Sequence, residues 1–267
     1  MSKFKHLSSL QNPLVKKILL LKDKARERKK TSLFVLEGQR EIQLALKGSY
    51  SIDTLFFEPN LLPEAALEPS FGFVSNCISV SKEVYQKIAY RGTTEGAIAL
   101  VKSKDTSLQG FKLKNKNPLI LVAEAPEKPG NIGALLRTAD AANLDGVIIA
   151  NPKSDLYNPN IIRSSVGCVF TVPVAMANTD EIISYLNRNN INIYCAALTA
   201  SKNYTTIDYN KASAIVVGTE ATGLTDTWLK ASTENIIIPM QGEIDSMNVS
   251  VSASIIIFEA KRQRQFL

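Results

Sequence analysis

Three stretches of this 267-residue sequence concentrate side chains able to bind or polarise a substrate. The first runs from Glu124 through Pro126, Lys128, Pro129, Gly130, Asn131 and Gly133 to Arg137, Thr138 and Asp140. The second sets Glu220 between Gly218 and Gly223. The third passes from Pro239, Met240 and Gly242 through Ser246, Met247 and Asn248 into a run of small residues. None of them holds a histidine. The single one, His6, sits beside the N-terminus, so a Ser-His-Asp triad, a Cys-His dyad or a His-rich zinc site would have to be built around it. Cys77, Cys168 and Cys195 are an odd, scattered set that makes neither a CxxC motif nor a disulfide framework. They read as small buried apolar residues in a reducing cytoplasm.

Each stretch also has a plainer reading. Gly130 can take a positive φ, and Asn131 can cap the helix that follows. That helix has an apolar face of Ile132, Leu135, Leu136 and Ala139, with Arg137 roughly opposite. Arg137 can equally form a surface pair with Asp140 three residues on. The G-x-G-x-x-G spacing of a dinucleotide site is absent, although a Gly-Asn-x-Gly helix start can hold a phosphate. A turn alone explains Gly218 and Gly223 but not the acid between them. Either Ser246 or Asn248 can cap the last helix.

The elements that must carry these loops are clearest in the second half. Apolar runs at 119–123, 146–150, 169–174, 191–197, 214–217 and 236–238 alternate with helical patterns at 132–142, 179–187, 226–231 and 249–262. Runs this continuous predict strands buried on both faces by crossover helices, hence an open parallel α/β sheet. Ligands of such sheets bind beyond the carboxyl ends of the strands, where all three loops lie. The first half reads as a smaller α/β or α+β unit. It has helix, short strand and helix over 11–48, strands at 52–57, 78–80 and 95–101, and a helix capped by Ser81. Residues 102–117 are polar, basic and aperiodic and read as a linker, giving domains at 1–104 and 118–267 around residues 105–117.

Charge is uneven. The formal net charge is +6, yet residues 1–30 carry ten Lys or Arg against Asp23 and Glu27, a local +8, leaving −2 for the rest. Lys16, Lys17, Arg26, Arg28, Lys29 and Lys30 thus form a candidate nucleic-acid contact, with a solvated helix face as the alternative. No apolar run approaches the ~20 residues of a membrane helix, and no apolar segment follows the basic N-terminus as in a secretory signal.

Taken together, the three loops resemble the motifs of the SpoU/TrmH family of RNA ribose 2′-O-methyltransferases. The family's Asn-x-Gly-x-x-x-Arg-Thr start matches Asn131, Gly133, Arg137 and Thr138. Its glycine loop matches Gly218, Glu220, Gly223 and Leu224. Its Ile-Pro-Met segment and final helix match Ile238, Pro239, Met240, Gly242, Ser246, Asn248, Val249 and Ser250. Ala221 and Met247 stand where the family usually has Gly and Leu. Ser9 to Pro13 and Phe34 to Gly38 are similar to the substrate-binding domain that many members carry, so the resemblance spans nearly the whole chain.

The resemblance implies a C-terminal parallel-sheet domain tied in a deep trefoil knot, preceded by a small domain like ribosomal protein L30e. It implies S-adenosylmethionine as cofactor, held through Gly218, Ile238 and Met247 with Met240, Leu198 and Thr199 nearby. It assigns catalysis to Arg137, Asn131, Glu220, Ser246 and Asn248, without metal or covalent intermediate. A guanidinium stays protonated, so Arg137 suits anion stabilisation or phosphate positioning better than proton abstraction. Glu220 would orient Arg137 or Asn131. The implied assembly is a homodimer through the C-terminal domain, acting on RNA, with ribosomal RNA favoured and transfer RNA the alternative substrate. The alternatives are a non-catalytic RNA-binding assembly factor that keeps the fold and, less compatible with the missing fingerprint, a nucleotide-dependent oxidoreductase.

Overall fold

The computed structural model describes residues 4–90, 95–198, 202–219, 222–243 and 246–266. The chain forms two compact units, one of Met1–Lys104 with Asp155–Thr171, the other of Asp105–Ser154 with Val172–Leu267.

The first unit starts with β1 (Lys5–Leu7), α1 (Pro13–Asp23), α2 (Ala25–Thr31), β2 (Leu33–Glu37) and α3 (Gln39–Lys47). It continues with β3 (Ile52–Phe57), α4 (Leu67–Phe71), β4 (Cys77–Val80), α5 (Lys82–Ile88) and β5 (Ala97–Lys102). The strands form one mixed sheet in the order β1-β4-β3-β5-β2. β5 runs antiparallel to β2 and β3, whereas β1 and β3 run parallel to β4. In α1 the Asn12 side chain accepts from Leu14 N at 2.9 Å, Pro13 takes the first turn, and Val15, Ile18 and Leu21 are buried. The basic run is not one helix. Lys24 is extended, with φ −113° and ψ 108°, and α2 restarts after it. Ser81 caps α5, accepting from Val84 N at 3.3 Å, where the sequence put the cap.

The second unit contributes β6 (Leu119–Glu124), α6 (Pro129–Ala141) and β7 (Gly146–Ala150). The β7–β8 connection carries α7 (Pro159–Ser164) and groups with the first unit. Then come β8 (Val174–Ala177), α8 (Thr179–Arg188), β9 (Asn192–Ala196), β10 (Lys202–Asn203), β11 (Ser213–Val217), α9 (Asp226–Ala231), β12 (Glu234–Ile237) and α10 (Val249–Gln263). The sheet is seven-stranded and parallel, in the order β10-β12-β9-β11-β6-β7-β8. β6, β7 and β11 are buried along their whole length, which explains their unbroken apolar runs.

One expected strand is displaced. Val169 and Phe170 lie in a single helical turn, and β8 begins only at Val174. Phe170 packs instead on Phe34 and Tyr50, at centroid distances of 5.9 and 5.2 Å, and Tyr157 stacks on Phe34 at 4.3 Å. A short apolar run has the same periodicity whether it fills a sheet or an aromatic cluster.

The strand order sets the site. β6 lies at the switch, with β7 and β8 on one side and β11, β9 and β12 on the other. Because the strands are parallel, the loops leaving β6, β9, β11 and β12 emerge at one end of the sheet.

Candidate active site

The loop after β6 leads into a helix that begins earlier than its glycine and asparagine suggest. Pro129 occupies the first helical position and Lys128 is the cap residue. Proline's fixed φ and missing N–H suit that place, so Asn131 is already inside the first turn and is not the cap. Its side chain meets the third motif instead, where Asn248 Nδ2 donates to Asn131 Oδ1 at 3.3 Å. Asn248 is itself the cap of α10. Its Oδ1 accepts from Ser250 N at 3.0 Å and Ser250 Oγ at 2.6 Å. That settles the cap in favour of Asn248 over Ser246. Further along, Ser254 Oγ donates to Ser250 O at 2.7 Å, which leaves Thr138 to donate to Ser254 Oγ at 2.8 Å. The first and third motifs are thereby laced together across α6 and α10.

The described ends of the second loop are tied together. Thr219 N and Gly223 N each donate to the other's carbonyl at 3.1 Å, and Thr222 N donates to Thr219 Oγ1 at 3.0 Å. A Cβ on Gly218 would lie 2.2 Å from the Gly223 carbonyl carbon, so the loop closes only on glycine at 218. Gly223, at φ +68°, needs its own freedom. Glu220 and Ala221 lie outside the described residues. The loop's exit is pinned by a residue to which the sequence assigned no role: buried Glu124, at the end of β6, accepts from Thr225 N at 2.9 Å and Thr225 Oγ1 at 3.0 Å. An acid at a strand's carboxyl end was the available signal.

A cavity of about 470 Å³ opens between these loops. Leu198 after β9, Gly218 after β11, and Ile238, Met240 and Met247 after β12 all line it, as does Ser246. Thr199 lies outside the described residues. Five of the six residues expected to hold the cofactor thus share one wall, with Leu224 closing the second-loop side. A neighbouring cavity of about 410 Å³ is lined by Lys128 and Asn131 and shares Gly218, Thr219 and Val249 with the first. Apolar side chains over strand-end backbone, in a volume within the ~300–1,000 Å³ of ligand pockets, fit an adenosine and a methionine chain.

Arg137 lines neither cavity. It is exposed on α6, opposite buried Ile132, Leu135, Leu136 and Ala139, and among the described residues it has no hydrogen-bond or ion-pair partner. The pair with Asp140 does not form. Behind the sheet end, Cys195 is fully buried, and burial together with the Glu124 carboxylate pushes its thiol up to about 12. It is an inert core residue rather than a nucleophile. Among the described residues no group of His, Cys, Asp and Glu is placed to hold a metal.

The basic segment divides. Lys16, Arg26, Lys29 and Lys30 are exposed and Lys17 half-buried. Arg28 is not available to a nucleic acid. It is 5% exposed, its Nη1 donates to Leu21 O at 2.6 Å and Lys22 O at 3.0 Å, and its fork meets Asp155 at 3.1 and 2.6 Å. Its planar donors satisfy the carbonyls at the end of α1, so it acts as internal glue.

Known proteins align with this architecture over its length. Residues 118–258 match the model of the SpoU rRNA Methylase family, and residues 12–99 match the MRM3-like substrate binding domain. The 23S rRNA (guanosine(2553)-2′-O)-methyltransferase RlmP of Bacillus subtilis is 27% identical, over 96% of this chain and 99% of its own. A solved RNA 2′-O ribose methyltransferase superposes with a TM-score of 0.82 at 34% identity, covering 97% of this chain and 99% of that one. The S-adenosylmethionine-bound rRNA methyltransferase of Sinorhizobium meliloti superposes with a TM-score of 0.86 at 27% identity, covering 98% of each. With the matched region holding all three loops that build the cavities, this chain belongs to the SpoU rRNA methylase family.

Proposed function

We propose that this protein transfers the methyl group of S-adenosylmethionine to a ribose 2′-hydroxyl of structured RNA, with 23S-type ribosomal RNA as the favoured substrate. The observation that carries this reading is the convergence of Leu198, Gly218, Ile238, Met240 and Met247 on one cavity whose rim joins the Asn131 cavity. The cofactor supplies an electrophilic methyl group. The protein's part is alignment of the hydroxyl with that group and stabilisation of developing negative charge.

Asn131 and Asn248 hold the polar rim. With each amide partly committed to the other, they form a fixed pair toward a ribose. Ser246 adds a hydroxyl at the cofactor side, and Glu220 would orient the polar groups around it. Arg137 stabilises the alkoxide or places the adjoining phosphate, a role its permanent charge suits. Its exposure, with Val251 and Phe258 on α10 exposed at 47% and 41%, supports a homodimer through the second unit. In that dimer one protomer's Arg137 serves the cavity of its partner.

In this reading residues 1–104 are the RNA-binding domain, of L30e-like type, and 118–267 the catalytic domain, with 105–117 as the linker; the compact units differ from these sequence bounds in taking 105–117 with the second and 155–171 with the first. Lys16, Lys17, Arg26, Lys29 and Lys30 contact phosphates. The segment after β12 returns to α10, which packs beside α6 and β11, and this path supports the trefoil knot. No helix among the described residues is long and apolar enough to cross a membrane, and the protein works in the cytoplasm.

The test is incubation with methyl-labelled S-adenosylmethionine and unmodified total RNA, followed by digestion and location of the label. Label on ribose 2′-O, reduced at least ~10²-fold by Arg137→Ala with cofactor binding retained, supports the reading. Cofactor binding without transfer to any RNA favours a non-catalytic assembly factor, and label confined to transfer RNA reassigns the substrate.

A further inference from the structure

The first unit holds a separate cavity of about 360 Å³ that methyl transfer does not use. Its wall combines three chemistries. Tyr90 is half exposed, at 52%, with the Arg163 guanidinium 4.7 Å and the Lys22 ammonium 5.4 Å from its ring centroid. Lys22 is held in place by donating to Ile88 O at 2.7 Å. Glu37, Glu41 and Glu95 add carboxylates.

These acids are built into the local backbone. Glu37 Oε2 accepts from Tyr90 N at 2.5 Å, and Glu95 Oε2 accepts from Gln39 N at 2.6 Å where α3 begins. Gly38 sits at φ +97°, and a Cβ there would lie 2.5 Å from Glu41 Oε2, so glycine leaves that carboxylate its place on the wall. Apolar Val35 and Ile162 complete the wall.

A purely basic pocket would suit a phosphate, and a purely acidic one a cation. Here a flat ring and a guanidinium are bordered by acceptors. That combination suits a planar heterocycle that stacks on its face and donates N–H groups from its edge. Among RNA bases, guanine offers two neighbouring donors, N1–H and the N2 amine, to a single carboxylate. We propose that this cavity receives an unpaired guanine base of the RNA substrate, stacked on Tyr90 and Arg163 and hydrogen-bonded along its donor edge by Glu41 and its neighbours. The proposal rests on the protein being an RNA-modifying enzyme and adds a base-reading site on the first unit.

The experiment uses the full chain and fluorescein-labelled hexauridine, with or without one central guanosine or inosine, read by anisotropy at low salt. The guanosine probe should bind about ten-fold tighter than hexauridine. Inosine, lacking the N2 amine, should fall between them. Tyr90→Ala and the near-isosteric Glu41→Gln should each remove the difference while thermal melting and S-adenosylmethionine binding stay as in the parent. Equal affinity for all probes overturns the proposal, as does a guanosine preference that survives both folded variants. A lysine-rich peptide that binds in a Glu41-dependent way, with no guanosine preference, overturns it in favour of a protein tail. The readout is independent of catalysis: guanosine preference without methyl transfer would remove the activity and leave the pocket, and transfer without preference would do the reverse.

Discussion

Asn248 caps α10 with its carbonyl oxygen and, from the same side chain, donates to Asn131 on α6 at 3.3 Å. One amide therefore fixes the start of the final helix and ties the third motif to the first across 117 residues of sequence. Either removal loosens the rim between the two cavities, but the stability costs differ. Asn248→Ala loses the cap, about 1 kcal/mol, as well as the bond to Asn131, whereas Asn131→Ala loses that bond, about 0.5–1.5 kcal/mol, and keeps the cap. Thermal melts of both single variants and the double variant should show a positive coupling. Methyl transfer should fall further in each than cofactor affinity does.

Gly218 lines the proposed cofactor cavity where the backbone of Gly223 and Leu224 passes close against it. Gly218→Ala places a methyl group 2.2–2.5 Å from the backbone of Gly223 and Leu224. The loop must open, at a cost of about 1–3 kcal/mol by analogy with overpacked cores. Calorimetric titration with S-adenosylmethionine should show the loss directly. Gly242→Ala, with open space around its Cβ, should bind as the parent does.

Arg28 and Lys29 are neighbours of opposite consequence. Arg28→Met leaves Asp155, 29% exposed, without its ion partner and two carbonyls without a donor. It should lower stability by about 1–3 kcal/mol, seen as a reduced Tm. Lys29→Ala should leave Tm unchanged while weakening RNA binding and lowering the salt slope by about one.

Tyr157 and Tyr209 are buried and Tyr50 is half-buried, and loss of solvent raises each above the ordinary value of 10.0. A raised folded pKa means that their contribution is complete below pH 10.0 and is lost as pH rises beyond it. Alkaline titration followed at 295 nm should show exposed tyrosines ionising first. These three should ionise only together with loss of the circular dichroism signal. Their ionisation while the protein remains folded would contradict the burial.

The same contrast, local pattern against distant partner, separates what was legible from what was not. Continuous apolar runs gave β6, β7, β11 and their helices because burial on both faces leaves an unmistakable composition. Ser81 was readable as a cap because its partner is three residues away. The run 169–174 was misread because an aromatic cluster around Phe34, far off in sequence, takes Phe170 out of the strand.

Within the site, residue types and order along the chain carried the resemblance to the family, the resemblance implied Leu198, Gly218, Ile238, Met240 and Met247 as cofactor contacts, and these five line one cavity. Those residues follow strand ends, and a parallel sheet gathers its strand ends by construction. The sequence alone determined the parallel α/β half, the three motifs and the excess of positive charge near the N-terminus. Only tertiary structure decided that Asn131 faces Asn248 instead of capping its own helix, that Arg137 stands outside the cavities of its own chain, that Arg28 is enclosed beside Asp155, and that Glu124 holds Thr225. Each of these is set by a partner 100 or more residues away or by which side of a helix the packed sheet leaves open. Periodicity reports how often a residue type recurs, but a hydrogen bond depends on where the folded chain brings its other half.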